Sequence, residues 1–309
     1  MALRVRTVLG DVDPEQLGFM LPHEHLINSP PVHARPDPDY RLQDVDKAIE
    51  EVLLFKRAGG TALAEMTGPD YGRNVEAIRH ISRRTGVHML VTTGFIMESF
   101  FPQKVFDASE NELVDLFVRE VTEGADGTDI KAGVIKCGTS QGRMTPTEEK
   151  VIRAAAQAHL VTGAPISTHT VGGSMALAQI ELLQAQGVDP SRVVIGHLDR
   201  KSLGCGYFKF LANKGVYLGI DSIGKTKYYP DSLRIDVLKQ LIESGFVRQI
   251  LLADDNGRQS YFTSYGGGPG LDYIPRVFVP MMREAGVSDA DIEQMTVLNP
   301  RTVLSFEVS

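Results

Sequence analysis

The chain has 309 residues, 42% hydrophobic and 23% charged, with 30 Gly and 16 Pro. This is the profile of a soluble globular protein: it excludes a disordered or fibrous chain, and no apolar run is long enough to span a bilayer. The net charge of −7, from 32 basic and 39 acidic residues with no Lys/Arg block, leaves no footprint for nucleic acid.

Two cysteines, Cys137 and Cys205, are too few for a disulfide framework or a four-thiolate zinc site, and they fit a reducing compartment. The opening Met-Ala-Leu-Arg-Val-Arg has no apolar core of signal-peptide length, so a cytoplasmic location is expected.

In chain order, eight short apolar or β-branched runs read as strands: 17–21, 60–66, 87–93, 133–137, 165–168, 192–196, 216–220 and 249–253. Between them lie amphipathic segments. One spans Asp44 to Ala58, with Val45, Ile49, Val52 and Leu53 apolar. Another spans Thr147 to Thr162, opened by Pro146 and closed by Gly163. Val-Val-Ile at 193–195 and Ile-Leu-Leu at 250–252 are continuous apolar runs, as strands of a parallel sheet covered on both faces should be. Eight strand–helix units predict an α/β protein, a (β/α)8 TIM barrel. No linker divides the chain, so residues 1–309 are expected to form a single domain. The proline cluster from Pro30 to Pro38 falls in the first βα loop, and Tyr265 to Gly270 in the last.

The chemistry-bearing residues gather at the C-terminal ends of these runs, the rim where barrel active sites are built. His23 and His25 are two apart, so in extended chain both imidazoles face the same way and can share a metal, although His-x-His also arises by chance. Lys136, His169, His197 and the Asp254–Asp255 pair end later runs. His33, His80, His88 and His159 fall in loops or helices and are read as surface or satisfied core residues. Lys136 has no lone pair to offer while charged. Either it packs its stem in the barrel and pairs with an acid, or it is neutral or converted by CO2 to a carbamate that can bridge two metals.

His23-x-His25, Val-Ile-Lys136-Cys-Gly-Thr-Ser, Thr-His169-Thr, Val-Ile-Gly-His197-Leu-Asp, the Asp near 255 and Asn299-Pro300 together resemble the phosphotriesterase-like lactonases of the amidohydrolase superfamily. The resemblance runs from about residue 5 to residue 305. It implies a binuclear centre, most often of zinc, with manganese and cobalt as alternatives. His23, His25 and Asp255 would bind the more buried ion and His169 and His197 the more exposed one. Carboxylated Lys136 and a hydroxide would bridge them. The family's apolar-apolar-small-x-Asp pattern places the ligand at Asp255 rather than Asp254, and implies that Asp255 also shuttles the proton of the attacking hydroxide. A homodimer is the family's usual state.

For the substrate, Asp255-x-x-Arg258-x-x-Tyr261, with Lys227 in the preceding loop, resembles the branch that opens phosphorylated sugar lactones, such as a pentono-1,4-lactone 5-phosphate. In that branch Lys227, Arg258 and Tyr261 would hold the phosphate. As loop residues, Lys225 and Lys227 could equally be solvated charges. The alternatives are an acyl-homoserine lactonase with organophosphate triesterase activity, disfavoured by the absence of Trp and the polar last loop, and a non-catalytic barrel that keeps the motifs as relics.

Overall fold

A computed structural model of the chain describes residues 2–201 and 204–308. Eleven strands are found among them: β1 (Leu3–Thr7), β2 (Gly10–Val12), β3 (Phe19–Glu24), β4 (Gly60–Glu65), β5 (His88–Gly94), β6 (Val134–Gly138), β7 (Ile166–His169), β8 (Val193–Ile195), β9 (Tyr217–Ile220), β10 (Ile250–Leu252) and β11 (Ser305–Glu307). Strands β3 to β10 form one parallel sheet in sequential order, with helices between successive strands. This is the (β/α)8 barrel that the sequence predicts.

Seven of the eight strand positions match expectation to within two residues. The first differs most. Leu17 follows a 3-10 turn over Pro14–Gln16 and is buried in the barrel floor, so the strand begins at Phe19. It then runs through two polar residues, His23 and Glu24, that an apolar pattern cannot mark. His88, expected in a loop or helix, instead opens β5.

The helices start and stop where capping chemistry dictates. Asp44 accepts backbone N–H groups of Asp46 and Lys47 ahead of helix Val45–Arg57. Thr145 and Glu148 form a capping box on helix Pro146–Thr162, which ends on left-handed Gly163.

One unpredicted layer closes the floor. β1 pairs antiparallel with β2 and with β11, joining the two ends of the described chain under the barrel. Val5 of this sheet packs with Leu17, Met20, Leu90, Val134, Leu251 and Leu304 into the inner core. The barrel is thus plugged below, and its open end is the C-terminal rim.

The seam between first and last barrel strands is distinctive. β3 and β10 are the two ends of the sheet order. They are joined beyond the ladder by the Asp255 N–H to His23 carbonyl bond of 3.2 Å and by the Glu24 carboxylate, which accepts the N–H groups of Asp254 (2.7 Å), Asp255 (3.2 Å) and Asn256 (2.9 Å).

Candidate active site

The alternation of β3 sends Glu24 into the seam and leaves His23 and His25 facing a cavity of about 650 Å³ at the rim. Lys136, His169, His197 and Asp255 also line it, as do Lys227, Arg258 and Tyr261. Every site residue expected from the sequence therefore meets in one place.

The floor is a packed cluster of imidazoles around a carboxylate. His25 Nε2 lies 3.2 Å and His23 Nε2 3.6 Å from Asp255 Oδ1, and Lys136 Nζ lies 3.3 Å from His23 Nε2. Ring centroids of His169 and His197 are 4.5 Å apart, and those of His23 and His197 4.9 Å. Donor atoms of His23, His197 and Asp255 all fall within 4.8 Å of one another, close enough to share one ion.

Two backbone positions stand out. His197 (φ 61°) and Asp255 (φ 51°) both occupy the left-handed region just past a strand end. For a non-glycine residue this costs on the order of 1–3 kcal/mol and persists only where the surroundings enforce it. Asp221 holds His197 through its N–H and ring; Glu24 holds the Asp255 turn. Strain of this kind, paired at two cavity residues, marks a functional site.

Burial pushes the His23, His169 and His197 pKa values well below the usual imidazole range, with neighbouring cations adding to the effect, so these rings are neutral and carry a free lone pair. His25 Nδ1 is engaged by Thr67 Oγ1 at 2.8 Å, and His197 Nδ1 by Asp221 Oδ1 at 2.7 Å, which turns Nε2 of each inward. Burial lowers Lys136 to about 8. At Asp255 burial opposes ionisation, but Lys225 and Arg200 overcome it and hold the carboxyl well below its ordinary value.

Asp255 divides its oxygens accordingly. Oδ1 faces the histidines, and Oδ2 meets the Arg200 guanidinium and lies 3.5 Å from Lys225 Nζ. Asp254, the alternative at the sequence level, is fully buried with neither carboxylate oxygen hydrogen-bonded and lies outside the cavity lining.

The walls alternate cations and aromatic rings. Lys227 bonds the Tyr261 hydroxyl and lies 4.9 Å from the Tyr228 ring centroid. Arg258 stacks on Tyr40 at 3.9 Å, bonds its hydroxyl, and approaches Asp39 at 3.7 Å. Tyr71, Ile96 and Phe100 form the apolar side.

Sequence reasoning missed Arg200, Asp221, Arg35 and Tyr40. Arg200 had a signal: it follows His197 by three residues, as Arg258 follows Asp255. Lys225, read as a loop charge, is in fact buried against Asp255.

Residues 3–304 match the phosphotriesterase family. The chain belongs to that family. It is accordingly a hydrolase. The chain is 32% identical to a phospho-furanose lactonase of Mycoplasmopsis synoviae, over 98% of this chain and 92% of that one. Among solved structures of the fold, a lactonase from Listeria monocytogenes superposes with a TM-score of 0.94 at 36% identity, covering 98% of this chain and 99% of that one. The phosphotriesterase homology protein of Escherichia coli, solved with phosphate in its active site, superposes at 0.90 with 39% identity, covering 95% and 100%.

Among the described residues no helix is long and apolar enough to cross a membrane.

Proposed function

We propose that this protein is a divalent-metal-dependent lactonase that opens a small phosphorylated sugar lactone, such as a pentono-1,4-lactone 5-phosphate. One observation carries this: a single cavity opposes a histidine–carboxylate floor to a wall bearing Lys227, Arg258 and Tyr261. The floor suits hydrolysis and the wall suits an anion. The names of the Mycoplasmopsis synoviae and Listeria monocytogenes relatives, and the phosphate in the Escherichia coli structure, support the same assignment.

The donor set fits divalent metal. Imidazoles, two of them with Nδ1 tied back (His25 and His197), and one carboxylate are what zinc, manganese or cobalt takes. His23, His25 and Asp255 would hold one ion and His169 and His197 a second, with Lys136, carboxylated by CO2, between them. Such ions supply Lewis acidity toward a carbonyl oxygen and a water of lowered pKa.

The chain's own residues do the rest. Arg200 and Lys225 hold Asp255 Oδ2 and leave Oδ1 toward the reacting centre, where it can take a proton from the attacking water and deliver it to the ring oxygen that leaves. Lys227 and Arg258, with the Tyr261 hydroxyl, anchor the phosphate by charge-assisted hydrogen bonds. Tyr71, Ile96 and Phe100 cover the sugar ring and exclude water.

The test is a panel of lactones with and without a phosphate, assayed on protein of measured metal content. Turnover concentrated on the phosphorylated members, lost with Arg258→Ala, is the expected result. Faster turnover of a long-acyl homoserine lactone, unaffected by Arg258→Ala, would replace the substrate assignment.

A further inference from the structure

Besides Lys136 on the floor, five basic side chains line the cavity, and their partners differ. Arg200 and Lys225 face Asp255, and Arg258 faces Asp39. Lys227 has the Tyr261 hydroxyl. Arg35, from the first βα loop, has no carboxylate within ion-pair distance among the described residues; its guanidinium hydrogen-bonds the Tyr71 hydroxyl and makes one long bond to the backbone, Nη1 to Ala34 O at 3.4 Å. Its Nε is buried with no hydrogen-bond partner.

The guanidinium is nevertheless firmly placed, 5.2 Å from the Tyr40 ring centroid and 5.2 Å from that of Phe100. Tyr40 carries Arg258 at 3.9 Å as well, so two guanidinium groups share one ring. Like charges brought together over a ring repel, and a buried N–H without an acceptor is costly; an oxyanion bound beside the ring within reach of both guanidinium groups would offset both penalties.

We propose that Arg35 is a specificity-determining residue that completes the anion subsite of Lys227, Arg258 and Tyr261, donating Nε–H and an Nη–H to the phosphate of the substrate. The inference rests on the phosphorylated-lactone assignment and deepens it. Three cationic groups, Arg35, Lys227 and Arg258, against the nearby Asp39 suit a dianionic phosphate monoester better than a singly charged carboxylate. Tyr40 becomes the spacer that sets the distance between the two guanidinium groups. No signal in the sequence pointed here, because residue 35 lies in the proline-rich loop, far from the motif residues of the last two loops.

The experiment compares wild type, Arg35→Gln and Arg35→Lys on a phosphorylated lactone and its unphosphorylated parent, with inorganic phosphate and sulfate as competitive inhibitors. Expected for Arg35→Gln is a fall in the kcat/KM ratio of phosphorylated to unphosphorylated substrate on the order of 10- to 100-fold, the scale of one charge-assisted contact, carried by KM. The inhibition constants for phosphate and for sulfate, both tetrahedral oxyanions, should rise in parallel. Arg35→Lys should recover part of the ratio, and it serves as the test if the Gln variant fails to fold. Wild type that prefers the phosphorylated lactone with an unchanged ratio in both variants overturns the role of Arg35 and leaves the substrate assignment standing. Wild type with no preference for the phosphate overturns both.

Discussion

Asp221 grips His197 at two points: its Oδ1 lies 2.7 Å from the ring Nδ1, and its Oδ2 accepts the backbone N–H at 2.8 Å. The same carboxylate therefore fixes both the tautomer of the imidazole and the left-handed backbone that carries it. Asp199 in turn accepts the N–H groups of Asp221 (3.1 Å) and Ser222 (3.0 Å) and is itself bonded to Arg234 at 2.8 Å. His197 is positioned by a buried chain of carboxylates and a guanidinium, not by packing alone.

Asp221→Ala should accordingly loosen metal retention more than it harms the fold. Removing the group that orients a ligating imidazole costs roughly 10- to 100-fold in metal affinity. Competition against a chelator, with metal content read directly, checks this; retention equal to wild type would mean that His197 needs no such support or is no ligand.

Glu24 is the second structural carboxylate, and Glu24→Gln tests the seam. A carboxamide keeps one acceptor oxygen and aims an NH2 at backbone donors, so at least one buried backbone N–H loses its acceptor, at a cost of about 1–3 kcal/mol. Thermal unfolding should fall by several degrees, and metal retention should fall with it because the Asp255 turn is released. A normal melting temperature would show that the backbone bond from Asp255 to His23 closes the seam unaided.

The proposed carbamate on Lys136 would tie activity to carbon dioxide and pH. Only the neutral amine attacks CO2, and burial lowers this lysine to about 8. Metal-stripped protein given zinc at a fixed concentration of dissolved CO2 should regain activity faster as pH rises toward about 8, slowing roughly tenfold per unit below it. Reactivation kinetics from pH 6.5 to 9 at constant CO2 read this out, and a rate independent of both pH and CO2 would exclude the carbamate.

His159, far from the cavity, gives a clean stability test. Burial lowers its pKa, and its Nδ1 lies 2.8 Å from the Ala164 carbonyl. The unfolded chain binds a proton at this residue near pH 6.5 and the folded chain only lower. Its contribution is thus complete above that value and is lost as pH falls toward the folded pKa. Urea unfolding of wild type should therefore steepen relative to His159→Gln by up to about 1.4 kcal/mol per pH unit just below 6.5. Parallel pH profiles for the two proteins would contradict it.

Much of the architecture was legible because buried parallel strands must be apolar on both faces, so eight runs in sequence reveal eight strands. The end of β3 was not, since His23 and Glu24 are polar for reasons of chemistry and seam closure rather than of burial. The floor sheet escaped because β2 is only Gly-Asp-Val and β11 comes from the other end of the chain. At the site, the rim histidines, Lys136 and Asp255 announced themselves by standing at strand ends. Arg35 and Tyr40 did not, because a proline-rich loop has no periodicity from which to infer direction, and Asp221 read as one acid among 39.

The seam has a consequence for biosynthesis. His23 and His25 are synthesised more than two hundred residues before Asp255 and the amides that Glu24 clasps. Contacts so distant along the chain are among the last to form, since they close the largest loop. A nascent or truncated polypeptide lacking β10 therefore holds two exposed histidines but no finished donor set, and full metal capture must await the joining of first strand to last. Loading with metal would in that sense certify that the hoop has closed.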